Sequence, residues 1–197
     1  LLGGPQKDQS LRDANKPTRE YGTDERVDWF LALVFKAIKL FSRVGGDAGI
    51  EGIRKTEELV ARTREQVGDD VELMLDAWMS LNVEYTVRLG EVLKPYNLKW
   101  IEDYLLPDDW DGFDEVRQRL PDHTLATGEH WYLPPAFAFA ARRKLVDIFQ
   151  PDLLWAGGLT ACVHIAPIAE ANGLTVVPHR GINRPFCQPP VQAPPPT

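Results

Sequence analysis

The chain has 197 residues, enough for one sizeable core but short of the roughly 250 that a complete eight-stranded α/β barrel takes. Hydrophobic residues make up 44% and charged residues 26%, which excludes a disordered, collagen-like or coiled-coil chain as a whole-length description. Acidic side chains outnumber basic ones 29 to 22, for a formal net charge of -7, and no Lys/Arg stripe breaks that balance, which argues against a nucleic-acid partner. Cys162 and Cys187 form neither a disulfide framework nor a zinc-binding spacing, so a reduced cytoplasmic location is expected. No apolar run approaches the roughly 20 residues of a membrane helix, and Leu1-Leu2-Gly3-Gly4 opens without the regions of an export signal, so no membrane partner is expected.

Residues 1–26 are polar and irregular, with Pro5 and Pro17, and are expected to be loop. Residues 27–40 mix an amphipathic stretch with a run ending at Phe41, read as a helix entering a short strand. From residue 50 to 67, Ile53, Leu59, Val60 and Val67 fall near helical spacing, and Gly68 stands where a left-handed C-cap residue belongs. Val71-Glu72-Leu73-Met74-Leu75 is then a short apolar run that stops at Asp76, as a buried parallel strand does.

The pattern recurs. A helix over 82–93 precedes Leu98-Lys99-Trp100-Ile101, which runs to Glu102. A helix over 113–120 precedes Thr124-Leu125-Ala126-Thr127-Gly128, which runs to Glu129. A helix over 135–144 leads to a strand ending at Asp152, and one over 159–171 leads to Leu174-Thr175-Val176-Val177-Pro178 and His179. Such alternation gives a parallel sheet, because each crossover must span the sheet's length. No G-x-G-x-x-G follows any strand, which favours a barrel over an open doubly wound sheet. Residues 183–197 read as a proline-rich tail, leaving 27–182 as the barrel domain.

The strand-ending residues Asp76, Glu102, Glu129, Asp152 and His179 are spaced by 26, 27, 23 and 27 residues, one strand-helix unit each. In a parallel barrel all strand C-termini open on one face, so these five would converge there. One such acid is ordinarily a helix N-cap or a solvated loop residue, but five in register point to a site. Crowded carboxylates raise one another's pKa unless a cation joins them. The oxygen-only set Asp76, Glu102 and Glu129 selects a hard ion such as Mg²⁺. Asp152 and His179 form an oriented acid-imidazole pair suited to a general base. A carboxylate substrate chelated to Mg²⁺ has an acidified α-proton that such a base can remove.

Together with those strand ends, Gly128-Glu129-His130, Gln150-Pro151-Asp152, Gly157-Gly158-Leu159-Thr160 and Val176-Val177-Pro178-His179 resemble the barrel domain of the enolase superfamily. Within it, Met74-Leu75-Asp76-Ala77-Trp78-Met79-Ser80 and Pro95-Tyr96-Asn97-Leu98-Lys99-Trp100-Ile101-Glu102 are similar to the mandelate racemase-like acid-sugar dehydratases of the L-rhamnonate type. The resemblance covers about residues 45–180. It implies Mg²⁺ on Asp76, Glu102 and Glu129, a His179/Asp152 dyad taking the α-proton, and a 2-keto-3-deoxy acid product. It also implies substrate contacts at His130 and Lys39. The alternatives are another aldonate or aldarate dehydratase, or an inactive fragment whose open strand edges self-associate.

The chain also departs from the pattern. Lys39-Leu40-Phe41 has phenylalanine where many relatives carry a second lysine, so His179 stands alone as base. The expected fold is therefore an incomplete (β/α) barrel of about six parallel strands, lacking the small N-terminal lid domain and the last strand. A strand-exchanged homo-oligomer is one way to complete it. Pro167 is expected to kink its helix. His123 and His164 read as structural or exposed, and Trp78 and Trp155 are the tryptophans nearest the strand ends. Glu57, Glu58, Arg62, Arg64 and Glu65 read as a solvated helix face. Asp103, Asp108, Asp109 and Asp111 lack the EF-hand pattern.

Overall fold

The computed structural model describes residues 23–42 and 44–179; the proline-rich tail, Cys187 and most of the irregular N-terminal segment lie outside them. Six helices are α1 (Thr23–Ala32), α2 (Gly49–Val67), α3 (Val83–Leu93), α4 (Trp110–Arg119), α5 (Leu133–Arg143) and α6 (Leu159–Ala171). Six strands are β1 (Ala37–Phe41), β2 (Glu72–Asp76), β3 (Trp100–Glu102), β4 (Leu125–Thr127), β5 (Ile148–Phe149) and β6 (Thr175–Val176). They form one parallel sheet in sequential order β1 to β6, as in a barrel wall built one strand-helix unit at a time.

The register decides which side chains face the helices. Ile38 pairs with Leu73 and Leu40 with Leu75, Leu75 pairs with Ile101, and Ile101 pairs with Leu125. All of these are buried. Removing each from water is worth about 1.5–3 kcal/mol, which anchors the helical layer to the sheet. The alternate positions face inward. Lys39 pairs with Met74 and Met74 with Trp100, and one level higher Phe41 pairs with Asp76 and Asp76 with Glu102. The period of two thus raises the carboxylates together at the strands' C-terminal ends.

Local chemistry fixes the helices. Asn82 caps α3 by accepting from the Tyr85 amide at 2.9 Å, and Asp109 caps α4 by accepting from the Gly112 amide at 3.0 Å. The Asp109 cap starts α4 at Trp110, three residues before the sequence-based start. Gly68 ends α2 at φ 69, where a Cβ would be strained. Arg64 is not part of a solvated face: its guanidinium donates to the carbonyls of Gly68, Val71, Tyr96 and Asn97, tying the end of α2 to β2 and β3. Helix α6 runs through Pro167 without being divided into two elements. The bond that proline cannot make falls opposite Val163, a half-exposed residue where water can serve the carbonyl.

Gly128, just past β4, has φ +127, and a Cβ there would lie 2.9 Å from Phe137 Cε1 and 3.2 Å from the Gln150 amide nitrogen. Gly128→Ala is expected to cost about 1–3 kcal/mol of folding stability through backbone strain and displaced neighbours. A urea midpoint equal to that of the wild type would show that the loop relaxes freely.

Candidate active site

The C-terminal ends of the strands surround a cavity of about 350 Å³ lined by Phe41, Asp76, Trp78, Glu129, His130, Asp152, Trp155 and His179. Four of the five strand-ending residues read from the sequence line it directly. The fifth, Glu102, is fully buried beside them. Its Oε2 accepts from Trp100 Nε1 at 2.7 Å, and its Oε1 meets Lys39 Nζ. Lys39 also reaches Asp76 Oδ2 at 3.0 Å. The ammonium therefore bridges two acids whose strands lie side by side.

Asp76 is additionally fixed by its own loop, because Oδ1 accepts from the Trp78 amide at 3.0 Å. Burial pushes the Asp76 carboxyl up, and the Glu102 charge adds to this, outweighing the opposing pull of Lys39. Burial opposes the charge of Lys39, but Glu102 and Asp76 more than offset it and hold the ammonium above its ordinary value. Burial drives the Asp76 shift, whereas the Lys39 shift comes from two carboxylates sharing a single cation.

On the other side, Asp152 and His179 are direct register partners in an isolated bridge. His179 Nδ1 lies 3.2 Å from Asp152 Oδ2. Asp152 Oδ1 meanwhile accepts from the Leu154 amide at 2.8 Å, which locks the carboxylate's orientation. His179 Nε2 approaches Glu129 Oε2 to 2.7 Å. Burial opposes protonation of His179, yet Glu129 and then Asp152 raise it above the usual imidazole value. Glu129 is correspondingly lowered: burial works against this, and His179, His130 and Lys39 overcome it.

The sequence reading missed Asp103. This carboxylate is 1% exposed and follows Glu102 at φ 51. It accepts from Thr127 Oγ1 at 2.7 Å and lies 3.0 Å from His130 Nδ1. Burial lifts it to about 6, helped by Glu129 and Asp76 and resisted by Thr127 and His130. Asp103, Glu129 and His130 present ligand atoms all within 4.8 Å of one another. Only its place directly after a strand-ending acid hinted at this. His130 also packs edge-on against Trp155, at 5.3 Å between ring centres. Of the other histidines, His123 lies 2.9 Å from the Gly90 carbonyl, away from the cavity, and His164 is exposed.

Asp76, Glu102 and Glu129 supply oxygen donors only, although the ligand atoms within 4.8 Å of one another are those of Asp103, Glu129 and His130 rather than of this set. That donor chemistry fits a hard divalent cation. No helix among the described residues is long and apolar enough to cross a membrane.

A parallel strand-helix wall with acids on successive strand ends and an Asp-His pair beyond them defines a barrel enzyme class that gathers a hard cation and a base at one mouth. Residues 22–188 match the family described as enolase C-terminal domain-like, and the chain belongs to that family. It is 40% identical to L-rhamnonate dehydratase of Saccharopolyspora erythraea over 180 residues, covering 91% of this chain and 44% of that protein. The structure of rhamnonate dehydratase from Gibberella zeae complexed with Mg superposes with a TM-score of 0.72 at 38% identity, over 77% of this chain and 39% of that one. L-Talarate dehydratase from Polaromonas sp. JS666, complexed with Mg and L-glucarate, gives a TM-score of 0.74 at 26% identity, over 88% and 46%. The chain spans under half the length of these relatives.

Proposed function

We propose that this chain, with residues 27–182 as its barrel unit, serves the dehydration of an acid sugar of the L-rhamnonate kind to a 2-keto-3-deoxy acid. The observation that carries this reading is the pairing of His179 with Asp152 at 3.2 Å across the same cavity that Asp76 and Glu129 line. Asp76, Glu102 and Glu129 would hold Mg²⁺, which when bound supplies positive charge against the substrate carboxylate and so acidifies its α-proton.

Asp152 accepts from His179 Nδ1–H and so fixes the ring, leaving Nε2, on the Glu129 side of the cavity, as the nitrogen that takes up a proton. His179 takes the α-proton at Nε2. The C–O bond at the β-carbon then breaks, and the departing hydroxyl leaves as water with the proton His179 returns. The enol that remains rearranges to the 2-keto-3-deoxy acid, for a net loss of one water. His130, held by Asp103, offers a second polar contact to the sugar chain. Lys39 offers its ammonium to the carboxylate. Another aldonate or aldarate is a second reading, favoured by the likeness to L-talarate dehydratase over 88% of this chain.

Mg²⁺ titration calorimetry tests the core of the proposal. Wild type is expected to bind Mg²⁺, and Glu102→Gln to weaken that binding roughly a hundredfold or more, since even outer-sphere changes cost 10–100-fold. Equal binding in the variant, with the fold intact by circular dichroism, would sink the assignment of Glu102 as ligand.

A further inference from the structure

Lys39 stands between two of the three acids assigned above to Mg²⁺. Its Nζ is 3.0 Å from Asp76 Oδ2 and in closer contact with Glu102 Oε1. A magnesium ion sits about 2.0–2.1 Å from its oxygen ligands in near-octahedral geometry. An ammonium bridging the same oxygens cannot remain there beside it. The lysine is also placed to leave. It rises from β1 at the level of Met74, one inward layer below Asp76, so its whole flexible stem spans the distance to the carboxylates. Its side chain is 35% exposed, whereas that of Glu102 is fully buried.

We infer that Lys39 is a tethered counter-cation that exchanges with the divalent ion, holding Asp76 and Glu102 together in the metal-free protein and withdrawing when the metal binds. The inference rests on the metal reading proposed above. It has a consequence for the order of binding. While Lys39 bridges the acids, its charge is spent internally and the mouth offers little to an anion. Metal loading frees the ammonium at the rim, beside the cavity where a substrate carboxylate would arrive. Metal would then bind before the acid sugar, and each would strengthen the other through one side chain.

The test compares wild type with Lys39→Met by Mg²⁺ calorimetry and by thermal melting with and without Mg²⁺. Lys39→Met is expected to bind Mg²⁺ about tenfold more tightly or better, because the competing charge is gone. It is also expected to melt below wild type without metal, and that deficit should close at saturating Mg²⁺. Lys39→Gln, which keeps a polar head without charge, should behave the same way and serves if the methionine variant folds poorly. Unchanged or weaker Mg²⁺ affinity overturns the inference while leaving the metal reading intact. Tighter binding with no metal-free deficit means simple charge repulsion and also overturns it. Absence of Mg²⁺ binding in both folded proteins overturns the inference and the metal reading together.

Discussion

On the proposed function, replacing His179 with asparagine is expected to lower acid-sugar turnover by about 10²–10⁴-fold, the usual contribution of a positioned acid-base group. The imidazole occupies the last strand end of the described sheet, with Nδ1 on Asp152 and Nε2 toward the acids. Asparagine keeps a hydrogen bond to Asp152 within reach but cannot accept and return a proton. Mg²⁺ affinity should change far less than turnover, since His179 is not among the assigned ligands. Keto-acid formation and exchange of the substrate α-proton in D₂O, followed by NMR, read the chemistry directly. Exchange that continues at the wild-type rate would remove His179 from the role of base.

Trp131→Ala is expected to destabilise the fold by about 3–5 kcal/mol, the range for emptying a buried tryptophan site. Only 2% of Trp131 is exposed. Its ring lies 5.2 Å from Trp110, 5.4 Å from Phe137 and 5.9 Å from both Phe113 and Phe149, mostly edge-on. Its indole N–H donates to the Pro107 carbonyl at 2.9 Å. The side chain therefore joins β5, α4 and α5 and pins the loop that carries Glu129 and His130. Against a total stability of roughly 5–15 kcal/mol, such a loss is a large fraction. It should appear as a lower urea midpoint with an unchanged slope, and Trp131→Phe should lose much less. A midpoint within error of wild type would mean that the cluster is not cooperative.

The repeat was legible because buried parallel strands are short, apolar and abruptly ended. The helix read over 159–171 is α6 residue for residue, and β2 is displaced by a single position from the run read at Val71. Patterns of period two and 3.6 carry that much. They do not carry where a side chain turns after the strand stops. Asp103 belongs to an acidic run without the EF-hand pattern, yet φ 51 turns its carboxylate inward to Thr127 and His130. The bridge from Lys39 to Glu102 was not legible either, since it spans 63 positions in sequence and depends on β1, β2 and β3 lying side by side. Arg64 misled for a related reason, since its four carbonyl partners come from two separate connections, the one before β2 and the one before β3.

The two halves of the mouth are not equally anchored. Asp76 and Glu102 end strands flanked on both sides, whereas His179 follows β6, a two-residue strand whose Thr175 is exposed, and among the described residues its amide donates to the Pro151 carbonyl at 3.1 Å. Short, sparsely bonded segments open at lower free energy than the interior they border. On warming, the proton-transfer half should therefore fray while the carboxylate half is still folded. The amide of His179 would be the earliest rung to exchange its hydrogen with solvent.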